Sequence, residues 1–199
     1  MIGGQGTTLG FLGGSFDPPH LGHLILARDA LEQLSLDKIY LVPAAQSPLR
    51  VKPHVASFAD RLALCRLLAK GRPWMDVLDI EAALPVPSYT VNTARKLAEL
   101  FPGAQLVWLV GADQWDNLPQ WKEYETLSKL LRFAVAARPG FPIAVLPPPR
   151  PEATPISPRN IEISSTELRE RLYCKLPVDH LVPPGVAEYI DTHHLYLHH

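Results

Sequence analysis

Apolar residues along this chain follow two spacings. Short unbroken runs, Thr8 to Leu12, Lys38 to Val42, Gln105 to Val110 and Phe133 to Ala137, are separated by segments whose apolar positions recur every three or four residues. The runs have the length and continuity of strands buried on both faces, and the segments between them have the period of amphipathic helices. Leu24, Ala27, Leu31 and Leu34 predict one helix, Leu64, Leu67 and Leu68 a second, and Val91, Ala94, Leu97, Ala98 and Phe101 a third. Glycine and proline punctuate the pattern: Gly13 and Gly14 close the first run, Pro43 the second, and Pro102 with Gly103 the third helix. Met75 to Ile80 reads as a further strand and residues 44 to 57 as a loop, with helical material between Val110 and Phe133. Toward the end, Ile161 to Ile163 predicts a strand and Thr166 to Leu172 a helix. Pro184 to His194 predicts a closing helix with proline in its first turn.

Alternation of this kind predicts an α/β fold, a doubly wound parallel sheet with helices on both faces and a small C-terminal helical part. The expected organisation is a single domain over residues 1 to 199, with the core sheet at about 8 to 163 and C-terminal helices at about 164 to 196. No internal repeat or linker interrupts it.

Composition narrows the function classes. Of 199 residues, 47% are apolar and 20% charged, and 19 basic against 20 acidic side chains leave a formal net charge of −1. A coat for nucleic acid or an anionic membrane normally needs a basic excess, so neither partner is expected. The apolar runs fall far short of the roughly 20 residues that span a bilayer, and no basic region precedes an apolar stretch at the N-terminus. Cys65 and Cys174 lie far apart and form no metal or redox spacing. The expectation is a soluble protein of a reducing compartment, the cytoplasm. Proline, 21 of 199, gathers between Phe141 and Pro158. That stretch cannot be a helix or a central strand and reads as an extended surface connection. The closing Leu197-His198-His199 has the look of a tag remnant and is set aside.

The most informative segment is Gly13-Gly14-Ser15-Phe16-Asp17-Pro18-Pro19-His20-Leu21-Gly22-His23, which leaves a strand and opens a helix. In a parallel sheet that is where ligands bind. The glycines allow close backbone approach, and free N–H groups at the helix start favour an anion. His20 and His23, three apart, project to one side of the first turn, and Gly22 leaves that turn unobstructed. Two imidazoles there suit a polyphosphate. No Gly-Lys-Ser/Thr follows, so this is not a Walker loop, and no third ligand stands at zinc spacing. A glycine-rich turn with surface histidines is the plain alternative for the parts taken singly.

Ser15 to His23 resembles the signature of the nucleotidyltransferases that share an HxGH motif with class I aminoacyl-tRNA synthetases. Ile163-Ser164-Ser165-Thr166-Glu167-Leu168-Arg169-Glu170-Arg171 resembles their C-terminal ISSTxIRxR element. Its hydroxyls suit a helix N-cap whose amides and Arg169 meet phosphates. Pro87-Ser88-Tyr89-Thr90, Trp121-Lys122-Glu123-Tyr124-Glu125 and Arg138-Pro139-Gly140-Phe141 are similar to bacterial nicotinate-nucleotide adenylyltransferases. So are Leu181-Val182-Pro183, Tyr189-Ile190 and Leu195-Tyr196, and the likeness runs from about residue 9 to 196.

This resemblance implies a Rossmann-like fold and transfer of the adenylyl group of ATP to nicotinate mononucleotide, a step of NAD biosynthesis, with Mg²⁺ held mainly through the ATP phosphates. It implies that Gly13, Gly14, Ser15 and Phe16 lie against phosphates, that His20 and His23 reach the reacting α-phosphate, and that Gly111 and Asp113 hold the ribose. Ser165, Thr166 and Arg169 would hold the triphosphate. Ser88, Tyr89, Thr90, Trp121 and Arg138 would form the nicotinate pocket. The family's Pro-Pro-His-Lys loop is replaced here by Gln46-Ser47-Pro48-Leu49-Arg50-Val51-Lys52-Pro53-His54, so Leu49 stands where the histidine would be. Arg50 or Lys52 is the candidate loop cation. Two rivals are an adenylyl- or cytidylyltransferase for another acceptor (nicotinamide mononucleotide, phosphopantetheine or flavin mononucleotide) and a non-catalytic nucleotide-binding domain. The oligomeric state stays open, a homo-oligomer included.

Overall fold

The computed structural model describes residues 6–47, 55–136, 145, 146, 148 and 151–197. Arg50, Lys52, Arg138 and the two final histidines lie outside them, as does much of the proline-rich stretch. The chain runs β1 (Thr8–Gly14), α1 (Leu21–Gln33), β2 (Lys38–Pro43), α2 (Phe58–Ala69), β3 (Met75–Val77), α3 (Thr90–Leu100), β4 (Gln105–Gly111) and α4 (Ala112–Asp116). It continues through α5 (Tyr124–Leu130), β5 (Arg132–Ala136), β6 (Ala153–Ile156), α6 (Ser165–Tyr173) and α7 (Pro184–Thr192). Short 3₁₀ turns occupy Ile80–Ala83 and Leu118–Gln120.

The strands form one parallel sheet in the order β3-β2-β1-β4-β5-β6. The central strands β1, β2, β4 and β5 bury both faces, and the period of two sorts the side chains. Leu12, Ile39, Leu41, Val107, Leu109 and Ala134 face a core shared with α1, α2 and α7. Leu9, Phe11, Val42, Leu106, Trp108, Val110, Phe133 and Val135 face the opposite core, shared with α3 and α5. Winding reverses between β1 and β4, so the crevice beyond their carboxyl ends is the place this topology offers a ligand.

Two predicted strands differ. β3 stops at Val77 rather than Ile80, because the chain then turns through Ile80–Ala83 and carries the carboxylate of Glu81 into the interior. Ile161 to Ile163 has no strand structure, and Ile161 is exposed. The sixth strand is instead Ala153–Ile156, inside the proline-rich stretch. It accommodates Pro155 because it lies at the sheet edge, where a missing N–H breaks no second ladder.

Beyond β6, two contacts steer the chain back over α1. The Gln33 amide donates to the Ser157 carbonyl (3.0 Å) and accepts from the Ser157 N–H (2.9 Å). The buried Asp29 carboxylate accepts from the N–H and the guanidinium of Arg159, both at 2.7 Å. α6 therefore starts beside the turn that follows β1.

Candidate functional site

The site is built on the turn between β1 and α1. A Cβ on Gly13 would stand 2.4 Å from the Trp108 ring, so only glycine lets β1 leave the sheet over that indole. Phe16 follows with φ of 48° and its ring buried, which reverses the chain tightly enough for α1 to begin at Leu21. His20 is the N-cap of α1, and its N–H donates to Nδ1 of His23 at 3.2 Å, the reach-back half of a capping box. Since Nδ1 of His23 accepts that hydrogen bond, the neutral ring carries its proton on Nε2. The two imidazoles lie with centroids 3.8 Å apart. Gly22 leaves room for this close, tilted pair, because a Cβ there would come within 2.9 Å of His20 Nδ1.

Burial pushes the His20 pKa down to about 4. His23 is held well below its ordinary value, first by burial and then by the neighbouring His20. Both rings are therefore neutral at pH 7 and offer N–H donors rather than fixed charge.

α6 is docked against the same turn. Ser164 is its N-cap, accepting the Glu167 N–H at 3.1 Å. The Ser165 hydroxyl donates to the Pro18 carbonyl (2.8 Å), and Arg169 donates to the Asp17 carbonyl (2.7 Å) and to Thr166 Oγ1 (3.2 Å). Two helix N-termini and a guanidinium thus gather at Asp17–His23, an arrangement suited to anions.

On the other side of Gly13–Ser15 opens a cavity of about 440 Å³, within the range of roughly 300–1,000 Å³ typical of small-molecule sites. Gly13, Gly14, Ser15, Asp113, Ser88, Tyr89, Thr90 and Trp121 all line it. Asp113 is the second residue of α4, and a Cβ on Gly111 would fall 2.6 Å from its Oδ1, so this glycine clears room for the carboxylate. The Trp121 indole N–H is buried with no hydrogen-bond partner among the described residues. The Lys122 ammonium stands 4.4 Å from the Tyr89 ring centroid and also lines the cavity. Ser88 has a bracing duty as well: its Oγ accepts the Gln46 N–H (3.0 Å) and its N–H donates to the Gln46 carbonyl (2.8 Å).

In sequence, residues 11–171 match the family described as cytidylyltransferase-like. A 189-residue stretch is 42% identical to the "Probable nicotinate-nucleotide adenylyltransferase" of Opitutus terrae, covering 94% of this chain and 97% of that protein. The nicotinate-nucleotide adenylyltransferase of Bacillus subtilis is 34% identical, with 94% and 97% covered. The chain belongs to the nicotinate-nucleotide adenylyltransferase family. At the level of fold, it resembles the Plasmodium falciparum nicotinic acid mononucleotide adenylyltransferase solved in complex with NaAD, with TM-score 0.72 at 20% identity over 96% of this chain and 97% of that one.

Within this adenylyltransferase frame, the sequence-predicted residues fall into two adjoining groups. Gly13, Gly14, Ser15, Asp113, Ser88, Tyr89, Thr90 and Trp121 share the cavity wall. His20, His23, Ser165, Thr166 and Arg169 cluster around the α1 start and are not part of that wall, with Phe16 packed underneath as core. Arg50, Lys52 and Arg138 lie outside the described residues.

Three buried charges escaped the sequence reading as site residues. Asp17 accepts the N–H groups of Val55 (3.0 Å) and Ala56 (3.1 Å). Arg61, 1% exposed, donates to the carbonyls of Ser15 (2.7 Å), Ala44 (2.8 Å) and Ala45 (3.3 Å). Glu81 accepts from the Ala45 N–H (3.1 Å) and the Thr93 hydroxyl (2.7 Å). Arg61 did leave a signal, for it stands at helical spacing with Leu64, Cys65 and Leu68, where a charge must find partners indoors. Glu81 left none.

Proposed function

We propose that the protein transfers the adenylyl group of ATP to nicotinate mononucleotide, releasing pyrophosphate and forming nicotinate adenine dinucleotide, a step of NAD biosynthesis. The observation that carries this reading is the meeting of an anion-binding turn, built from His20, His23 and the α6 start, with a cavity holding Ser88–Thr90, Trp121 and Asp113.

An oxygen of the mononucleotide phosphate attacks the α-phosphorus of ATP in line. One O–P bond forms, the bond to the bridging oxygen of the β-phosphate breaks, and pyrophosphate leaves with the electron pair. The nucleophile is already anionic at neutral pH, so no general base is needed. The chain's task is to align two mutually repelling anions and stabilise charge on the transferring and leaving oxygens. His20 and His23 supply neutral N–H donors at the α-phosphate, and the α6 amides with Ser165, Thr166 and Arg169 receive the β- and γ-phosphates. Asp113 accepts from ribose hydroxyls. Trp121 offers a face for the pyridine ring, and the Ser88–Thr90 segment receives its carboxylate.

No group of three or more His, Cys, Asp or Glu side chains among the described residues is placed to cage a metal. A divalent ion, Mg²⁺, would be carried on the ATP phosphates that Ser165, Thr166 and Arg169 would hold. When bound there it would supply neutralisation of the phosphate charge.

Incubation with ATP, Mg²⁺ and nicotinate mononucleotide is expected to give equimolar pyrophosphate and a dinucleotide of the mass of nicotinate adenine dinucleotide. A product formed only with phosphopantetheine or flavin mononucleotide would move the protein to another acceptor. ATP binding without any transfer would make it a nucleotide-binding domain.

A further inference from the structure

We propose that Arg61 and Glu81 are positioning residues that lock the acceptor side of the site to the phosphate side, an inference that rests on the reaction proposed above. The exits of β1 and β2 are laced by one main-chain bond, Ala44 N–H to the Gly14 carbonyl at 2.8 Å. Among the described residues a second main-chain bond, Ser88 N–H to the Gln46 carbonyl at 2.8 Å, holds the far end of 44–46, and Ala45 between them is held by side chains. Arg61 reaches up from α2, buried beneath both exits, and holds the carbonyl of Ser15 together with those of Ala44 and Ala45. Glu81 holds the opposite edge of the same segment through the Ala45 N–H and is itself fixed by Thr93 of α3. Gln46, the next residue, is then bonded reciprocally to Ser88.

The result is a continuous hydrogen-bonded path from Ser15, beside the phosphates, to Ser88, beside the acceptor. Neither charge is needed for burial as such: an apolar side chain would fill either place without a desolvation cost. What each provides is a fork: Arg61 fixes three carbonyls at once, and Glu81 ties the Ala45 N–H to the Thr93 hydroxyl. The lysine ammonium is a point donor on a flexible stem and cannot reproduce the guanidinium fork. In-line transfer is sensitive to such placement, since a misplacement of about 1 Å can cost about 10²-fold in rate.

The test uses Arg61→Lys, Glu81→Met and Glu81→Gln in the full chain, with rates normalised to the fraction that binds ATP. Glutamine can still accept the Ala45 N–H while its NH₂ donates to Thr93, whereas methionine can do neither. Arg61→Lys and Glu81→Met are expected to lower kcat by about 10- to 10²-fold while KM for each substrate stays within about threefold. Glu81→Gln is expected to retain most of the rate. Hydrogen–deuterium exchange supplies a readout independent of the substrate: the peptide covering residues 44–47 should exchange faster in Arg61→Lys and Glu81→Met, but not in Glu81→Gln. Unchanged exchange in that peptide, or equal kcat for Glu81→Met and Glu81→Gln, overturns the positioning role. If Arg61→Lys does not fold, the Glu81 pair still decides. An inactive wild type would overturn the reaction instead, and the exchange pattern keeps the two failures apart.

Discussion

His23 is fixed from two directions: its Nδ1 accepts a main-chain N–H, and its ring lies between those of Phe16 and His20. A side chain so held has its remaining N–H fixed in orientation, as the donor role proposed above requires. His23→Ala is therefore expected to lower kcat, normalised to the folded fraction, by about 10²-fold or more. Near-normal turnover in steady-state kinetics would remove it from the chemistry. His20 makes a different prediction. Its pKa is about 4 in the folded protein against roughly 6.5 in the unfolded chain, so the unfolded state binds more protons between those values. Stability from this residue is complete above the unfolded pKa and falls as pH drops toward the folded one. Between pH 7 and pH 5 the expected loss is about 2 kcal/mol. Urea titrations at the two pH values should show that loss shrinking in His20→Gln, and an unchanged pH difference would contradict the buried neutral ring.

Elements bring these residues together, and here the sequence was readable in uneven measure. The α1 turn was legible because its chemistry is local: two glycines, two histidines and the Gly22 between them sit within eleven residues, and the close approach of the two rings beside Gly22 follows from that spacing. The α6 start was legible as a capped helix, although the cap is Ser164, while Ser165 donates to the Pro18 carbonyl. Replacing Ser164 by alanine is expected to cost about 1 kcal/mol in urea unfolding, and a cost indistinguishable from zero would show that tertiary contacts alone hold the helix start. β6 was missed because proline lowers strand propensity whatever the context, and only its place at the sheet edge removes the penalty. Glu81 was missed for a related reason, since its partners Ala45 and Thr93 become neighbours only after the sheet has formed.

At the scale of the whole molecule, the order β3-β2-β1-β4-β5-β6 explains why the two motifs, 140 residues apart in the chain, meet at one place. The β1 turn lies at the winding reversal, and the Asp29–Arg159 and Gln33–Ser157 contacts return the chain from the far sheet edge across α1 to deliver α6. Periodicity revealed the layers of this fold. It did not reveal the return path, which depends on side chains separated by 124 and 130 residues. The same winding places the Asp113 end of β4 beside Gly13 and sets Ser88–Thr90 and Trp121 across one cavity.

The most direct test of the account is pyrophosphate release from ATP and Mg²⁺ with nicotinate mononucleotide, set against nicotinamide mononucleotide. kcat/KM for the nicotinate form is expected to be at least about tenfold higher, a difference of about 1.4 kcal/mol in transition-state binding. Absence of release with the nicotinate form, from folded protein that binds ATP, would contradict it.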